Sequence, residues 1–194
     1  MAEVPSTFHL KTGQSAPDFT LPDGKGTSTT LSSLIEGRMG LIVAFVCNHC
    51  PFVVHLADAL GTFAKECEKR GVSFVAISSN DAENYPADSP ENMVRFAQSS
   101  GWEFPYLYDG SQMVAKSYAA ACTPDFYLFN GDGRLTYAGQ FDATRPGRGG
   151  SPTGDDLRGA VDDLLASRPT PEPWYPSSGC NIKWKPGESP DYFD

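Results

Sequence analysis

Two of the five cysteines stand three residues apart in the stretch FVCNHCPFV, at residues 45–53. A C-x-x-C pair can form a redox dithiol, supply two ligands of a metal site, or consist of one reactive and one unreactive cysteine. Pro51 distinguishes the two sulfurs, because proline favours the first helical position and makes Cys50 the N-cap. We therefore expect the Cys50 sulfur to face unpaired N–H groups and the positive end of the helix dipole, which stabilise a thiolate.

Cys47 ends the preceding strand, outside the first helical turn, and gains little from the dipole. Cys50 is therefore the predicted nucleophile, and Cys47 is the predicted resolving thiol. The pair can form a disulfide only if its Cα atoms come within about 7 Å, which requires a turn at Asn48 and His49. His49 is expected either to stabilise the thiolate or move a proton, or else to be a polar turn residue.

Three other side chains are weaker candidates for the same site. Cys122 and Cys180 are alternative resolving thiols, although simple packing is favoured for Cys122 and a structural or free role is favoured for Cys180. Arg145 would assist a thiolate or a bound oxygen, while an ion pair with Asp142 that fixes the loop is the favoured alternative. Cys67 lies on the apolar stripe of its helix and is expected to be a core residue.

Short apolar runs alternate with amphipathic stretches, as in an α/β domain. Residues 41–46 and 72–77 are predicted to be buried strands, and the apolar stripe of residues 51–70 predicts a helix between them. Such a unit forms a right-handed crossover with parallel strands. An NGDG turn further predicts an antiparallel hairpin. The hairpin covers residues 125–138. Three further helices are predicted at residues 91–99, 112–119 and 155–166.

Length and composition indicate one domain with a short extension. The 194 residues, 40% of them hydrophobic, suffice for one packed core. A net charge of −9 argues against binding to nucleic acid or an anionic membrane. No apolar run is long enough to span a bilayer, and the N-terminus lacks the pattern of a secretory signal. The odd cysteine count favours reduced thiols, so we expect a cytoplasmic protein.

Residues 168–194 differ from the rest because they contain six prolines and five aromatic residues. So much proline predicts no regular structure, yet so many aromatic side chains are unusual in a freely solvated tail. We expect part of this segment to pack on a domain of residues 1–167 and the last few residues to be loose.

The chain resembles the redoxin families, the thioredoxin-like proteins related to alkyl hydroperoxide reductase and thiol-specific antioxidant. The resemblance covers residues 14–166 through four features: APDFTLPD at residues 16–23, the strand into NHCP, the Thr123-Pro124 step and the NGDG turn. A narrower NHCP-containing branch is marked further by the motifs CTPDF, QFDATRP and GCNIKWK, at residues 122–126, 140–146 and 179–185.

The resemblance implies a thioredoxin fold in which Pro124 is a cis-proline facing the helix that carries Cys50. In that fold the neighbour of the cis-proline, here Thr123, offers backbone hydrogen bonds to a bound thiol partner.

The sequence departs from the patterns of thioredoxins and peroxiredoxins in two ways. The resolving position of thioredoxins is occupied by Val53, and the P-x-x-x-[TS]-x-x-C pattern of peroxiredoxins has neither its proline nor its hydroxyl, because Val43 and Cys47 stand there. A fast peroxidase is therefore disfavoured, and slower peroxide reduction stays open.

The predicted function is that of a thiol-disulfide oxidoreductase or peroxiredoxin-like antioxidant enzyme, in which Cys50 attacks a disulfide or a peroxide. Its partners would be a disulfide-containing protein or a small peroxide or disulfide, and an external thiol reductant. No organic cofactor is expected, because no glycine-rich phosphate loop follows a strand. Two alternatives stay open, a zinc site that combines the C-x-x-C pair with His49, Cys122 or Cys180, and a non-catalytic binding module.

Overall fold

The computed structural model describes residues 3–193. In chain order its strands are β1 (Glu3–Pro5), β2 (Thr20–Pro22), β3 (Ser28–Thr30), β4 (Gly40–Phe45), β5 (Val72–Ser78), β6 (Tyr106–Tyr108), β7 (Cys122–Thr123), β8 (Asp125–Asn130), β9 (Leu135–Gly139) and β10 (Ser178–Asn181). Its helices are α1 (Leu31–Ile35), α2 (Pro51–Lys69), α3 (Pro90–Ser99), α4 (Met113–Tyr118) and α5 (Asp155–Leu165), and single 3₁₀ turns cover Pro86–Asp88 and Asp191–Phe193. None of the helices in this range is long and apolar enough to cross a membrane.

A five-stranded mixed sheet forms the centre, in the order β6-β5-β4-β8-β9. Strands β4 and β5 are parallel and are joined by α2, which confirms the predicted crossover unit. Strands β8 and β9 are antiparallel neighbours, which confirms the predicted hairpin. Helices α2, α3 and α5 pack on one face of the sheet and α1 and α4 on the other. The predicted mixed sheet flanked by helices is therefore confirmed.

Helix α2 begins at Pro51 with Cys50 as its N-cap, as the sequence predicts. It ends one residue before the predicted limit, and the following Gly71 has a φ of +80°. That left-handed conformation favours glycine and closes the helix. The predicted apolar stripe is buried against the sheet at Val53, Leu56, Leu60, Phe63 and Cys67. The expectation that Cys67 is a core residue is thus confirmed.

Several short elements have no counterpart in the sequence prediction. Strands β2 and β3 pair as an antiparallel hairpin of three residues each, and most of their side chains are exposed or half-buried. Strand β6 also has three residues, and it depends on parallel pairing with β5. Runs this short show no hydrophobic period, so only their tertiary partners define them.

The C-terminal segment contains regular structure, so the prediction of an irregular tail is wrong for part of it. Strand β10 pairs antiparallel with β1 on one side and with β7 on the other. Its sequence SGCN has little strand propensity, and a close backbone approach at Gly179 makes the pairing possible. The side chains of Cys180, Ile182 and Trp184 are buried.

The end of the chain is more ordered than expected. The Tyr192 hydroxyl donates to the Ala120 carbonyl at 3.1 Å, within the final 3₁₀ turn. The expectation of a loose end is therefore wrong up to this turn, and for Asp194 it lies outside the described residues. The division of the chain at residues 167 and 168 stays a prediction.

Replacing Gly179 should weaken the attachment of the C-terminal segment. A Cβ at this position would stand 2.0 Å from the Thr123 carbonyl oxygen, so Gly179→Ala must displace backbone. We expect destabilisation by about 1–3 kcal/mol and faster hydrogen exchange at residues 178–184. Gly159→Ala is the matched control, because a Cβ there meets nothing within 4 Å and alanine favours helix α5. Equal exchange in the two variants would contradict this account of β10.

Candidate active site

Three chain segments meet around the C-x-x-C pair. Cys47 follows β4, Cys50 caps α2, and Thr123 lies opposite them in β7. The Cys50 sulfur is 3.1 Å from the Thr123 carbonyl oxygen, and the Cys47 sulfur is 3.4 Å from the Thr123 hydroxyl. The Thr123-Pro124 bond is cis, as the resemblance implied. The structure therefore brings together Cys47, Cys50, Thr123 and Pro124.

The chain bends at Asn48 and His49, as a close approach of the two cysteines requires. This bend places the Cys47 and Cys50 side chains in hydrogen-bonding contact. Both thiols are free in this structure, and both side chains are buried. The bend that the predicted pair requires is thus present, the two thiols are not joined in a disulfide, and the resolving role of Cys47 stays a prediction.

The environment of Cys50 favours its ionised form. A hydrogen bond from Cys47 is the largest effect that lowers the pKa of Cys50, to about 5, and burial opposes it. Further lowering comes from Cys180, from Thr123 and from the backbone of Val53. The Val53 amide acts without a regular capping hydrogen bond to the sulfur. The Thr123 carbonyl works in the opposite direction, because it accepts a hydrogen bond only from the neutral thiol.

Cys47 has the opposite character, although it lies beside Cys50. Its hydrogen bond to Cys50 raises the pKa of Cys47, and burial and the negative charge of Asp88 raise it further. The proton therefore stays on Cys47 while the charge lies on Cys50. This division between the two sulfurs agrees with the helix-dipole argument from Pro51.

The two remaining cysteine candidates differ in their relation to Cys50. Cys180 lies close enough to Cys50 to lower the pKa of Cys50, and burial followed by the effect of Cys50 raises the pKa of Cys180. Cys122 instead donates to the Pro124 carbonyl at 3.5 Å, and burial raises its pKa. Because successive strand residues point to opposite faces, Cys122 points away from the side on which Thr123 meets the thiols. The structure thus brings Cys180, and not Cys122, to the nucleophile.

Asp88 is the site residue that sequence reasoning missed. Its fully buried carboxylate accepts from the backbone N–H groups of Asn48 and His49, at 2.8 and 3.3 Å, and from the Asn80 side chain at 2.8 Å. The His49 Nδ1 lies 2.6 Å from the same carboxylate. In the sequence, Asp88-Ser89-Pro90 is only a helix-start signal, and nothing there indicates a partner forty residues away.

Asp88 and His49 form a partly buried ion pair next to the thiols. The hydrogen bond to Asp88 raises the pKa of His49, against the effect of burial, and the nearby Cys50 charge raises it further. Burial opposes ionisation of Asp88, but hydrogen bonds from His49 and Asn80 outweigh it and lower the pKa of Asp88. The charges of His49 and Cys50 therefore interact, while the role of His49 toward the thiolate stays a prediction. Asn48 helps to fix the bend, because its side chain accepts from the Tyr106 hydroxyl at 2.9 Å.

Arg145 is held within its own loop. Its guanidinium donates to the carbonyls of Asp142 and Thr144 and to the Gln140 side chain, at 2.9, 2.7 and 2.6 Å. The Asp142 carboxylate accepts instead from Thr144 and from the backbone of residues 153 and 154. The expected ion pair between Arg145 and Asp142 is therefore wrong for the described residues. Arg145 fixes this loop through carbonyl groups.

The alternative prediction of a zinc site included both cysteines of the C-x-x-C pair as metal ligands. In the described part of the chain, a group with metal-ligand spacing consists of Cys47, His49 and Asp88, whose ligand atoms lie within 4.8 Å of one another. Two of these three are already bonded to each other, and the Asp88 oxygens carry four hydrogen bonds. An ion would have to break this network, so the geometry favours a redox site.

Fold and thiol site together define a class of protein. The thioredoxin domain of a thiol-disulfide oxidoreductase from Bacteroides vulgatus is 20% identical, with a TM-score of 0.61, over 80% of this chain and 99% of that one. This likeness shows the fold alone, and it confirms the thioredoxin-like fold. An uncharacterized conserved protein from Geobacillus kaustophilus is much more similar, at 48% identity and a TM-score of 0.91 over 96% of this chain and 98% of that one.

The family follows from the sequence match. The model described as Redoxin matches residues 11–150, so the chain belongs to the redoxin family. Peroxiredoxin Bcp of Escherichia coli is 29% identical over 109 residues, which cover 56% of this chain and 64% of that protein. Relatives of this kind support an oxidoreductase role.

The charge on Cys50 should depend on the donor that Cys47 supplies. Thiolate absorbance followed against pH should show a component with a pKa of about 5 that vanishes in Cys50→Ser. Cys47→Ala removes the donor and should raise the pKa of Cys50 by about 1–2 units, since a hydrogen bond to a charge contributes about 1.5–3 kcal/mol. Cys47→Ser is the matched control, because its hydroxyl still donates. A low-pKa component that persists in Cys50→Ser would contradict the assignment.

Removing the charge of Asp88 should lower the pKa of His49. Asp88→Asn keeps an oxygen for the backbone N–H groups of the bend, but it removes the carboxylate that raises the pKa of the imidazole. NMR titration of the His49 ring should therefore show a midpoint at lower pH. Asp81→Asn is the matched control, because the Asp81 carboxylate accepts hydrogen bonds from the Glu83 backbone and the Asn84 side chain and not from His49. An unchanged His49 midpoint in Asp88→Asn would refute the proposed coupling.

Proposed function

We propose that this redoxin is a thiol-dependent oxidoreductase in which Cys50 attacks a peroxide or a disulfide and Cys47 resolves the product. One observation carries the proposal: Cys50 is the N-cap residue of α2, and a hydrogen bond from Cys47 lowers the pKa of Cys50 to about 5. The attacking form, a thiolate, then predominates at neutral pH.

The first step with a hydroperoxide is attack of the Cys50 thiolate on the terminal peroxide oxygen. The O–O bond breaks, Cys50 becomes a sulfenic acid, and the leaving alkoxide or hydroxide takes a proton. We assign the donation of that proton to His49, because Asp88 and the charge of Cys50 both raise its pKa. With a disulfide substrate, the same thiolate forms a mixed disulfide and releases one thiol.

The second step is attack by Cys47, and the first step prepares it. The hydrogen bond to the Cys50 thiolate is the largest cause of the raised pKa of Cys47. Oxidation consumes that negative charge, so Cys47 loses its proton more easily once Cys50 is a sulfenic acid. The Cys47 sulfur then displaces water and closes the disulfide. Two equivalents of an external thiol restore both thiols and leave as a disulfide.

A small hydroperoxide fits the site better than a protein disulfide. Cys50 has no exposed surface, so any substrate reaches its sulfur only when the surrounding chain moves, and a small molecule needs far less movement than a protein does. The hydroxyl that peroxiredoxins carry at the position of Cys47 is absent, but the Thr123 hydroxyl lies 3.4 Å from the Cys47 sulfur and favours the Cys50 thiolate. Thr123 thus supplies a hydroxyl from a different strand. We further propose a cytoplasmic setting, where external thiols keep such cysteines reduced.

The reaction should fail without Cys50 and change its product without Cys47. Hydroperoxide consumption with a dithiol reductant should fall to the uncatalysed rate in Cys50→Ser, and in the parent it should decline as the pH falls through about 5, because the thiolate becomes protonated. In Cys47→Ser, consumption of the first equivalent of peroxide should persist, because the serine hydroxyl still donates to Cys50. Cys67→Ser, a buried thiol remote from the site, is the control. Full activity in Cys50→Ser would refute Cys50 as the nucleophile, and no activity in the parent protein would favour the non-catalytic binding module.

A further inference from the structure

Strand β10 is held on both sides beside the nucleophile. It is the middle strand of a three-stranded antiparallel sheet in the order β1-β10-β7, with Cys180 opposite Glu3 on one side and opposite Thr123 on the other. Beyond the strand, the Lys183 N–H donates to the Asn80 side chain at 2.9 Å. The position of Cys180 is therefore fixed by the chain on either side of it.

The register of this pairing decides where the Cys180 thiol points. Residues directly opposite each other in an antiparallel pair project from the same face. Thr123 projects its hydroxyl toward Cys47, and Cys180 lies opposite Thr123, so the Cys180 thiol projects toward the same cluster. Strand β10 packs against α2, and the Cys180 thiol lies close enough to Cys50 for each thiol to shift the pKa of the other.

Strand β10 also occupies the backbone that an incoming thiol partner would need. The Thr123 segment pairs with residues 180 and 181, and the Gly179 backbone fits so closely that a Cβ there would lie 2.0 Å from the Thr123 oxygen. An extended peptide from another protein has no room to pair with β7 while β10 is in place. A thiol carried by the same chain thus already lies where an external thiol would have to bind.

We propose that Cys180 is a second resolving thiol and that β10 is a tethered thiol partner of Cys50. The proposal rests on the function assigned to Cys50 above. When a hydroperoxide has converted Cys50 to a sulfenic acid, the Cys180 sulfur attacks the Cys50 sulfur. The S–O bond breaks, the hydroxyl leaves as water with the thiol proton, and a Cys50–Cys180 disulfide forms. The same attack on a Cys47–Cys50 disulfide releases Cys47, which takes up the proton.

The two disulfides have different consequences for the protein. A Cys47–Cys50 bond closes a ring within one bend, whereas a Cys50–Cys180 bond joins α2 to the C-terminal segment and encloses most of the chain. The second bond keeps β10 over the site until a reductant opens it. It also predicts a compact oxidised form that migrates faster on a non-reducing gel.

Peptide mapping distinguishes the two bonds directly. Cleavage after lysine and arginine, except before proline, leaves Cys47 and Cys50 in one peptide of residues 39–65 and Cys180 in another of residues 159–183. The full-length Cys47→Ser protein, treated with one equivalent of hydrogen peroxide, should yield these two peptides linked and a faster gel band that reductant abolishes. Adding Cys180→Ser should remove both signals. Adding Cys122→Ser instead should leave both, because Cys122 points away from the cluster.

The possible outcomes separate this proposal from the function on which it rests. In the Cys47→Ser/Cys180→Ser protein, a sulfenic-acid probe such as dimedone should label Cys50. Labelled Cys50 in the single variant Cys47→Ser, with no linked peptide, would overturn the role of Cys180 and leave the function of Cys50 intact. No oxidation of Cys50 in any variant would overturn the proposed function itself. Mapping the single variant decides the question even if a Cys180 variant fails to fold.

Discussion

The site depends on Thr123, because each polar group of this one residue contacts a different part of it. Its carbonyl lies 3.1 Å from the Cys50 sulfur, its hydroxyl lies 3.4 Å from the Cys47 sulfur, and its backbone pairs with Cys180. The adjoining cis bond to Pro124 leads directly into β8, which pairs with β4 in the central sheet. The thiol cluster is thereby tied to the most deeply buried strands, which gives three chemically different sulfurs a fixed arrangement.

A second constraint is the burial of the Asp88 carboxylate. A buried charge is costly unless it is paired and hydrogen-bonded, and Asp88 meets this condition through two backbone N–H groups, Asn80 and His49. The same contacts fix the bend that brings Cys47 to Cys50. The electrostatic effects on the two thiols then differ, since the negative charge of Asp88 raises the pKa of Cys47, while the positive charge that Asp88 favours on His49 interacts with the charge of Cys50.

The sequence predicts those parts of the site that arise from local rules. Pro51 fixes the start of α2, so the N-cap position of Cys50 follows from the residue order alone, whereas the pKa of Cys50 is lowered chiefly by Cys47 and further by Cys180 and Thr123. The parallel crossover and the NGDG hairpin follow in the same way. Partners far apart in the chain are not predictable on this basis. Asp88 carries only a local helix-start signal, and β10 has a sequence with little strand propensity that becomes a strand because β1 and β7 flank it.

The arrangement of the thiols implies an order of events set by one negative charge. While Cys50 is a thiolate, its charge raises the pKa of both Cys47 and Cys180, so both neighbours stay protonated and donate to it. Oxidation of Cys50 would remove that charge, and the pKa of both Cys47 and Cys180 would then fall. Burial still opposes ionisation of each, but Lys183 lowers the pKa of Cys180 and Asp88 raises that of Cys47. Electrostatics alone therefore favours Cys180 as the thiolate after oxidation, while the short bend favours Cys47 by proximity, and the balance between these two effects decides which disulfide forms first.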